Sequence, residues 1–398
     1  MVGTIAKRWR LLSGEGNWRE LLNPLDMDLR RYLIHYGEMA QATYDNFISD
    51  VRSDYAGDYR YPMKKMFSGV DLNIANPFKY RAVKYVYATS KVELPQSFMV
   101  KSLAKQPWSS QCNWIGYVAV ATDEGKAMLG RRDIVIAWRG TIQPIEWVKD
   151  FQAPLISASN ILKWDKDPRV HQGFLSLYNT ADFVSAYSKT SAREQVIEEV
   201  KRLMQEFKHE ETSLTVTGHS LGAALATLNA IDIAANGFNI GDESKERSPV
   251  TAFVFASPRV GDRNFKELSE SVENLHILKI KNLNDLVPLT PPKESGYADV
   301  GKELLLNTLI SPFVNRPGGP LSWHNLEAYL HGVAGTQGDK PVFHLEVKRD
   351  IALLNKEISN LQPDYLIPPA WRCPRNTGMV KMKDGSWELR DQENEEDD

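Results

Sequence analysis

Between Ser213 and Ala235 the chain runs Ser-Leu-Thr-Val-Thr-Gly, then His-Ser-Leu-Gly, then a long stretch of alanine and leucine, with no spacer between them. The first piece is short, rich in β-branched residues and closed by glycine, which predicts a buried strand. Leu221–Ala235 is longer and made of small and apolar residues, which predicts a helix. A buried strand that turns directly into a helix restricts the chain to α/β architectures, with a mostly parallel sheet and helices on both faces. The joint is tight. Gly218 and Gly222 flank Ser220 where larger side chains would clash, and Ala223 and Ala224 let the helix approach the sheet. A serine on such a strained strand-to-helix turn is a nucleophile elbow, held up for attack with the helix amino end behind it.

The rest of the chain fits this frame. Asp133–Trp138, Thr251–Ser257 and Leu275–Asn282 read as further short buried strands. Ser191–Phe207 reads as a helix: Ser191 and Glu194 form a capping box, and Val196, Ile197, Val200, Leu203, Met204 and Phe207 fall on one face. Upstream, Leu25–Phe47 has helical spacing, and Tyr80–Thr89 and Trp114–Thr122 read as strands. Downstream, residues 286–322 are loop-rich, His324–Val333 looks helical, Pro341–Asp350 reads as a late strand and Lys383–Leu389 as part of a terminal hairpin. No repeat or low-complexity linker appears. The expected organisation is one domain over 1–398, with a helical extension over about 1–60 and an acidic tail over about 388–398.

Bulk properties exclude several functions. With 48 basic and 51 acidic residues the formal charge is −3, and no basic stripe suited to nucleic acid is present. The same mild acidity argues against purely electrostatic binding to anionic membranes. No apolar run approaches the ~18 residues a transmembrane helix needs. The amino terminus lacks the apolar core of a secretory signal, and Glu15, Glu20, Asp26 and Asp28 come too early for a transit peptide. Two distant cysteines, Cys112 and Cys373, form no disulfide framework. Together these predict a soluble, cytoplasmic protein. They assign no oligomeric state.

Serine needs a base, and the base needs an acid to orient it. The Leu221 amide, first in the helix, is a natural donor to an oxyanion. On this architecture the chain order is Ser, then acid, then His. Asp262 and Asp285 both follow strand ends, and strand logic alone does not separate them. Of the four histidines beyond Ser220, His276 precedes Asp285 and His344 lies mid-strand. His324 stands where a loop meets a helix and can be aimed at a cleft. His331, near the helix end, is the other choice, with a helix-end cation as its plainer role. No cluster of His, Cys and acids suggests a metal, and no cofactor is expected.

Six segments, Ala137-Trp-Arg-Gly-Thr, Val170–Tyr178, Val216–Ala226, Phe255–Phe265, Asn282–Pro292 and His324–Val333, together resemble the class 3 lipases, and within them the cytosolic type II branch of plant phospholipases A1. The resemblance spans nearly the whole chain. It implies an α/β-hydrolase fold, Ser220 as nucleophile, Asp285 as acid, His324 as base, and the Thr141 amide as second oxyanion donor beside Leu221. Asp262 then becomes structural. Gly218, His219 and Gly222 complete the elbow. The resemblance further implies that Ile142–Phe151, with Ile142, Ile145, Trp147 and Val148, forms a lid, and that the substrate is the sn-1 ester of a glycerophospholipid at a membrane or micelle surface. Galactolipids and neutral acylglycerols are alternates. A small-ester esterase and a non-enzymatic scaffold of the same fold are the rival readings; the scaffold is disfavoured because every triad type is present in order.

Overall fold

The computed structural model describes residues 2–74, 76–94, 98–103, 112–142, 153–185, 187–241, 247–372, 377–381 and 387–391. Seven strands form the central sheet: β1 (Tyr80–Ala88), β2 (Asn113–Ala121), β3 (Arg132–Trp138), β4 (Thr212–His219), β5 (Val250–Phe255), β6 (Leu275–Asn282) and β7 (Lys302–Leu306). They lie side by side in that order. The β1–β2 and β2–β3 pairs are antiparallel, and every pair from β3 to β7 is parallel. This is the mostly parallel α/β-hydrolase sheet expected from the sequence.

Alternating residues of the central strands feed two separate cores. Ile134 and Ile136 of β3, with Val250, Ala252 and Val254 of β5, pack on α3 (Ala192–Glu206) and α4 (Leu221–Ala235). Val135 and Ala137, with Phe253 and Phe255, face the other way, toward α1 (Val2–Leu12), α2 (Met27–Asp45) and α6 (Leu326–Gly335). β3 and β5 are thus buried on both faces, as parallel strands covered by helices must be. Ser191 and Glu194 make the predicted capping box at the start of α3.

The amino-terminal helices belong to the second core. Asp26 starts α2 by accepting the Asp28 and Leu29 amides at 2.9 and 3.1 Å. Tyr36 then stacks on Phe253 with centroids 5.2 Å apart, and Tyr32 meets the same ring edge-on at 5.8 Å. Beneath them Asp133 is fully buried and accepts four hydroxyls: Tyr36 and Tyr80 at 2.7 Å, Ser213 at 2.6 Å and Thr215 at 2.8 Å. Buried Arg131 lies 3.3 Å away. A buried carboxylate is tolerated when its lone pairs are met and a cation is close.

One expectation fails. Pro341–Asp350 is not a strand. Its His344 and Glu346 amides bond to Gly335 and Ala334, the last carbonyls of α6, so it caps a helix end in place of joining a ladder. Conversely, the loop-rich 286–322 region contains β7, a five-residue edge strand pairing with β6. Leu304 and Leu306 point inward while Lys302, Glu303 and Leu305 are exposed, and so short an alternation is easily lost between turns. The predicted terminal hairpin is present, Thr377–Lys381 against Trp387–Asp391.

Candidate active site

Parallel strands bring their carboxyl ends to one edge of the sheet, and the residues singled out from the sequence gather there. Trp138 ends β3 beside Gly218 in register, so the Arg139–Thr141 turn and the Ser220 turn leave adjacent strands. Asp285 stands three residues beyond β6. His324 closes α5 (Pro320–His324), and Asn325 begins α6 by accepting the Glu327 and Ala328 amides.

Ser220 has φ 60° and ψ −125°, a region L-residues avoid, and its amide is anchored to the Phe255 carbonyl at 3.0 Å. The strain is held by contacts only glycine permits. A Cβ on Gly222 would lie 2.8 Å from the Arg139 carbonyl carbon, and one on Gly218 would lie 2.8 Å from the Ala223 nitrogen. Ser220 provides no side-chain cap for α4; its hydroxyl lies 2.9 Å from His324 Nε2.

His324 Nδ1 lies 2.7 Å from Asp285 Oδ2. Asp285 also accepts the Tyr329 hydroxyl on Oδ2 at 2.6 Å and the Val287 amide on Oδ1 at 2.9 Å. With a carboxylate on Nδ1, the proton of neutral imidazole sits there and Nε2 is free to accept from Ser220. Asn282 joins the two segments: its amide donates to Tyr329 Oη at 3.1 Å and its Nδ2 to the Trp323 carbonyl at 2.9 Å. Burial and the neighbouring Asp285 charge push the Tyr329 phenol well up, so it remains a donor.

The other candidates lie apart from this group. Asp262 caps the helix Arg263–Ser271 through the Phe265 amide at 2.9 Å. His331 is no helix-end cation. It is buried, its Nε2 lies 2.8 Å from Ser311 Oγ, it stacks on Phe343, and burial lowers its pKa to about 3. His276 starts β6, at the far end of the strand from Asp285, against Trp18. His344 is on the surface 3.4 Å from Glu346.

Thr141 is buried, and its Oγ1 has no hydrogen-bond partner among the described residues. Ile142 packs on the second core, whereas Ile145, Trp147 and Val148 of the expected lid lie outside the described residues. Cys112 is buried, and Cys373 likewise lies outside them.

The sequence profile of the family Lipase (class 3) matches residues 135–295, which contain Ser220 and Asp285. Over 393 residues the chain is 49% identical to phospholipase A1-IIgamma of Arabidopsis thaliana, covering 98% of this chain and 93% of that protein. Over 397 residues it is 50% identical to phospholipase A1-II 1 of Oryza sativa subsp. indica, covering 99% and 98%. The chain belongs to the class 3 lipases, in the phospholipase A1-II group. Among solved structures, a lipase from Rhizopus microsporus var. chinensis aligns with TM-score 0.45 and 19% identity, over 71% of this chain and 76% of that one.

In this class 3 lipase three contacts at the site had no separate signal in the sequence. Tyr329 holds Asp285 through its hydroxyl. The His219 imidazole bonds through Nε2 to the His324 carbonyl at 2.8 Å and through Nδ1 to Tyr44 at 2.8 Å. Arg139 is fully buried, donates to the Trp114 and Gly140 carbonyls at 3.0 and 2.8 Å, and covers the Phe47 ring at 3.8 Å. Burial lowers its pKa to about 9.

Proposed function

We propose that this class 3 lipase hydrolyses the sn-1 ester of glycerophospholipids through an acyl-enzyme. The observation that carries this reading is the unbroken series Ser220 Oγ, His324 Nε2, His324 Nδ1, Asp285 Oδ2, with contacts of 2.9 and 2.7 Å, on a strained elbow. His324 takes the Ser220 proton as Oγ attacks the ester carbonyl. The Leu221 and Thr141 amides donate to the oxyanion that forms, each worth about 3 kcal/mol at a site of this kind. As the tetrahedral species collapses, His324 returns the proton to the departing lysophospholipid oxygen. Water, deprotonated by His324, then attacks the acyl-enzyme; the bond from the acyl carbon to Ser220 Oγ breaks, His324 returns the proton to Oγ, and the fatty acid leaves. Asp285 holds the imidazole and balances its charge in both halves.

The substrate class follows the naming of the near-identical-length relatives as phospholipases A1. Among the described residues no helix is long and apolar enough to cross a membrane. Ser220 is wholly buried in this conformation, so an opening precedes lipid entry. A cytoplasmic residence goes with this reading, supported by two cysteines in 398 residues.

The test is release of fatty acid from phosphatidylcholine labelled differently at its two acyl positions, for wild type and Ser220→Ala. Label from sn-1 is expected for wild type, with a fall of about 10⁴-fold or more in the variant. No release by folded wild type from phospholipid, galactolipid or short esters sinks the proposal.

A further inference from the structure

One phenol joins the three chain segments that hold the proposed reacting groups. Tyr44 lies in the last turn of α2, far in sequence from the elbow, and its hydroxyl is 2.8 Å from His219 Nδ1. The other ring nitrogen of His219, Nε2, is 2.8 Å from the His324 carbonyl. A carbonyl only accepts, so Nε2 carries the hydrogen. Burial first, and then the neighbouring His324, keep His219 neutral well below the usual imidazole range. Neutral imidazole with its hydrogen on Nε2 has a bare Nδ1, so Tyr44 must be the donor. That fixes the tautomer, and the tautomer fixes the bond to His324.

The same hydroxyl reaches the oxyanion turn. A Cβ on Gly140 would lie 3.1 Å from Tyr44 Cζ and 2.5 Å from the His219 carbonyl oxygen. Glycine at 140 is thus what lets the phenol sit between the elbow and the residue preceding Thr141. The phenol is kept neutral, its pKa raised by burial, so it stays a donor.

We infer that Tyr44 is a positioning residue of the hydrolytic reaction. It holds His219 in the tautomer that pins the His324 main chain, and it holds the Arg139–Thr141 turn beside the elbow. This rests on the proposed Ser220 chemistry. Loss of the hydroxyl frees His219 to move its hydrogen to Nδ1, which leaves the His324 carbonyl without its donor. Loosening the base and the oxyanion turn by a fraction of an ångström affects the transition state far more than ground-state binding.

The test uses the full chain and a soluble p-nitrophenyl ester, so that lipid adsorption plays no part. Tyr44→Phe keeps the ring. It is expected to lower kcat about tenfold, with KM within twofold of wild type and the melting temperature little changed. His219→Gln retains an acceptor for Tyr44 and a donor for the His324 carbonyl. It is expected to keep more activity than His219→Leu, and Tyr44→Phe added to His219→Leu should cost clearly less than it does alone. The inference is overturned if Tyr44→Phe leaves kcat within twofold, if it acts on stability alone, or if its effect multiplies fully in the His219→Leu background. Labelling of Ser220 by an organophosphonate separates the two readings. A folded wild type that resists it refutes the serine chemistry, whereas a wild type and Tyr44→Phe labelled at the same rate refute only the role of Tyr44.

Discussion

At the scale of single residues, the elbow trades conformational comfort for reach. Ser220 occupies φ 60°, and two residues on, a Cβ at Gly222 would meet the backbone of Trp138 and Arg139, leaving no room for a methyl group. Backbone cannot step aside as a side chain can. Gly222→Ala is expected to cost about 3 kcal/mol of stability through overpacking. It should also lower kcat by about a hundredfold, because α4 and the Leu221 amide must shift relative to Thr141. Urea unfolding and ester hydrolysis measured on the same preparation check both. An unchanged kcat in a folded Gly222→Ala protein contradicts the assignment of Leu221 as oxyanion donor.

At the scale of elements, the segment that follows α6 acts as a strap. Arg349 pairs with Glu38 of α2 and Glu327 of α6, and Lys356 bonds Asp45 of α2 at 2.7 Å and Glu327 at 3.5 Å. These groups are largely buried, so each charge depends on its partner. Arg349→Met strands Glu38 and Glu327, which burial already makes reluctant to ionise in the case of Glu38. The expected loss is about 3 kcal/mol, the lower end for a broken buried pair because Lys356 still faces Glu327. Chemical denaturation reads it; a change below about 0.5 kcal/mol matches a surface pair and contradicts the strap.

At the scale of the molecule, buried titratable groups set the response to pH. Burial lowers His35 and His331 to about 3 and His171 to about 4. Unfolding returns them to about 6.5, so the unfolded chain takes up protons as pH falls below that value. Their contribution is present above about 6.5 and is lost toward their folded values. Asp58 opposes them. Burial raises it to about 7, so its contribution is present near pH 4 and is lost as pH rises through 7. Glu38 and Asp232, also raised by burial, act with Asp58, whereas His219 and His276, lowered by burial, act with the other three imidazoles, so the imidazoles outnumber the carboxyls. Unfolding at pH 5 is expected to take up protons on balance, so stability falls from pH 7 to pH 5. Asp58→Asn should steepen that fall. A stability flat across this range in wild type contradicts the buried, neutral state of these histidines.

Much of the candidate site is legible in the sequence, for a local reason. The elbow is a strand, a tight turn and a helix written consecutively, so Gly218, Ser220, Gly222 and the small residues after them carry their own signal. Strand ends narrowed the acid to Asp262 or Asp285, and a loop-to-helix boundary drew attention to His324. Family motifs were needed to choose Asp285, because an acid after a strand looks the same whether it caps a helix, as Asp262 does, or faces a histidine. β7 was missed and a strand at 341–350 expected because pairing partners, not local pattern, decide whether a short apolar stretch joins a sheet. Tyr44, Asn282 and Tyr329 illustrate the same limit. Each is an ordinary polar residue in its own segment, and it meets the site only because the sheet stacks α2 and α6 on one face and turns β3, β4 and β6 toward one edge. Local chain chemistry therefore specifies the Ser220 turn, while the partners that surround it come from distant segments whose contacts exist only after packing.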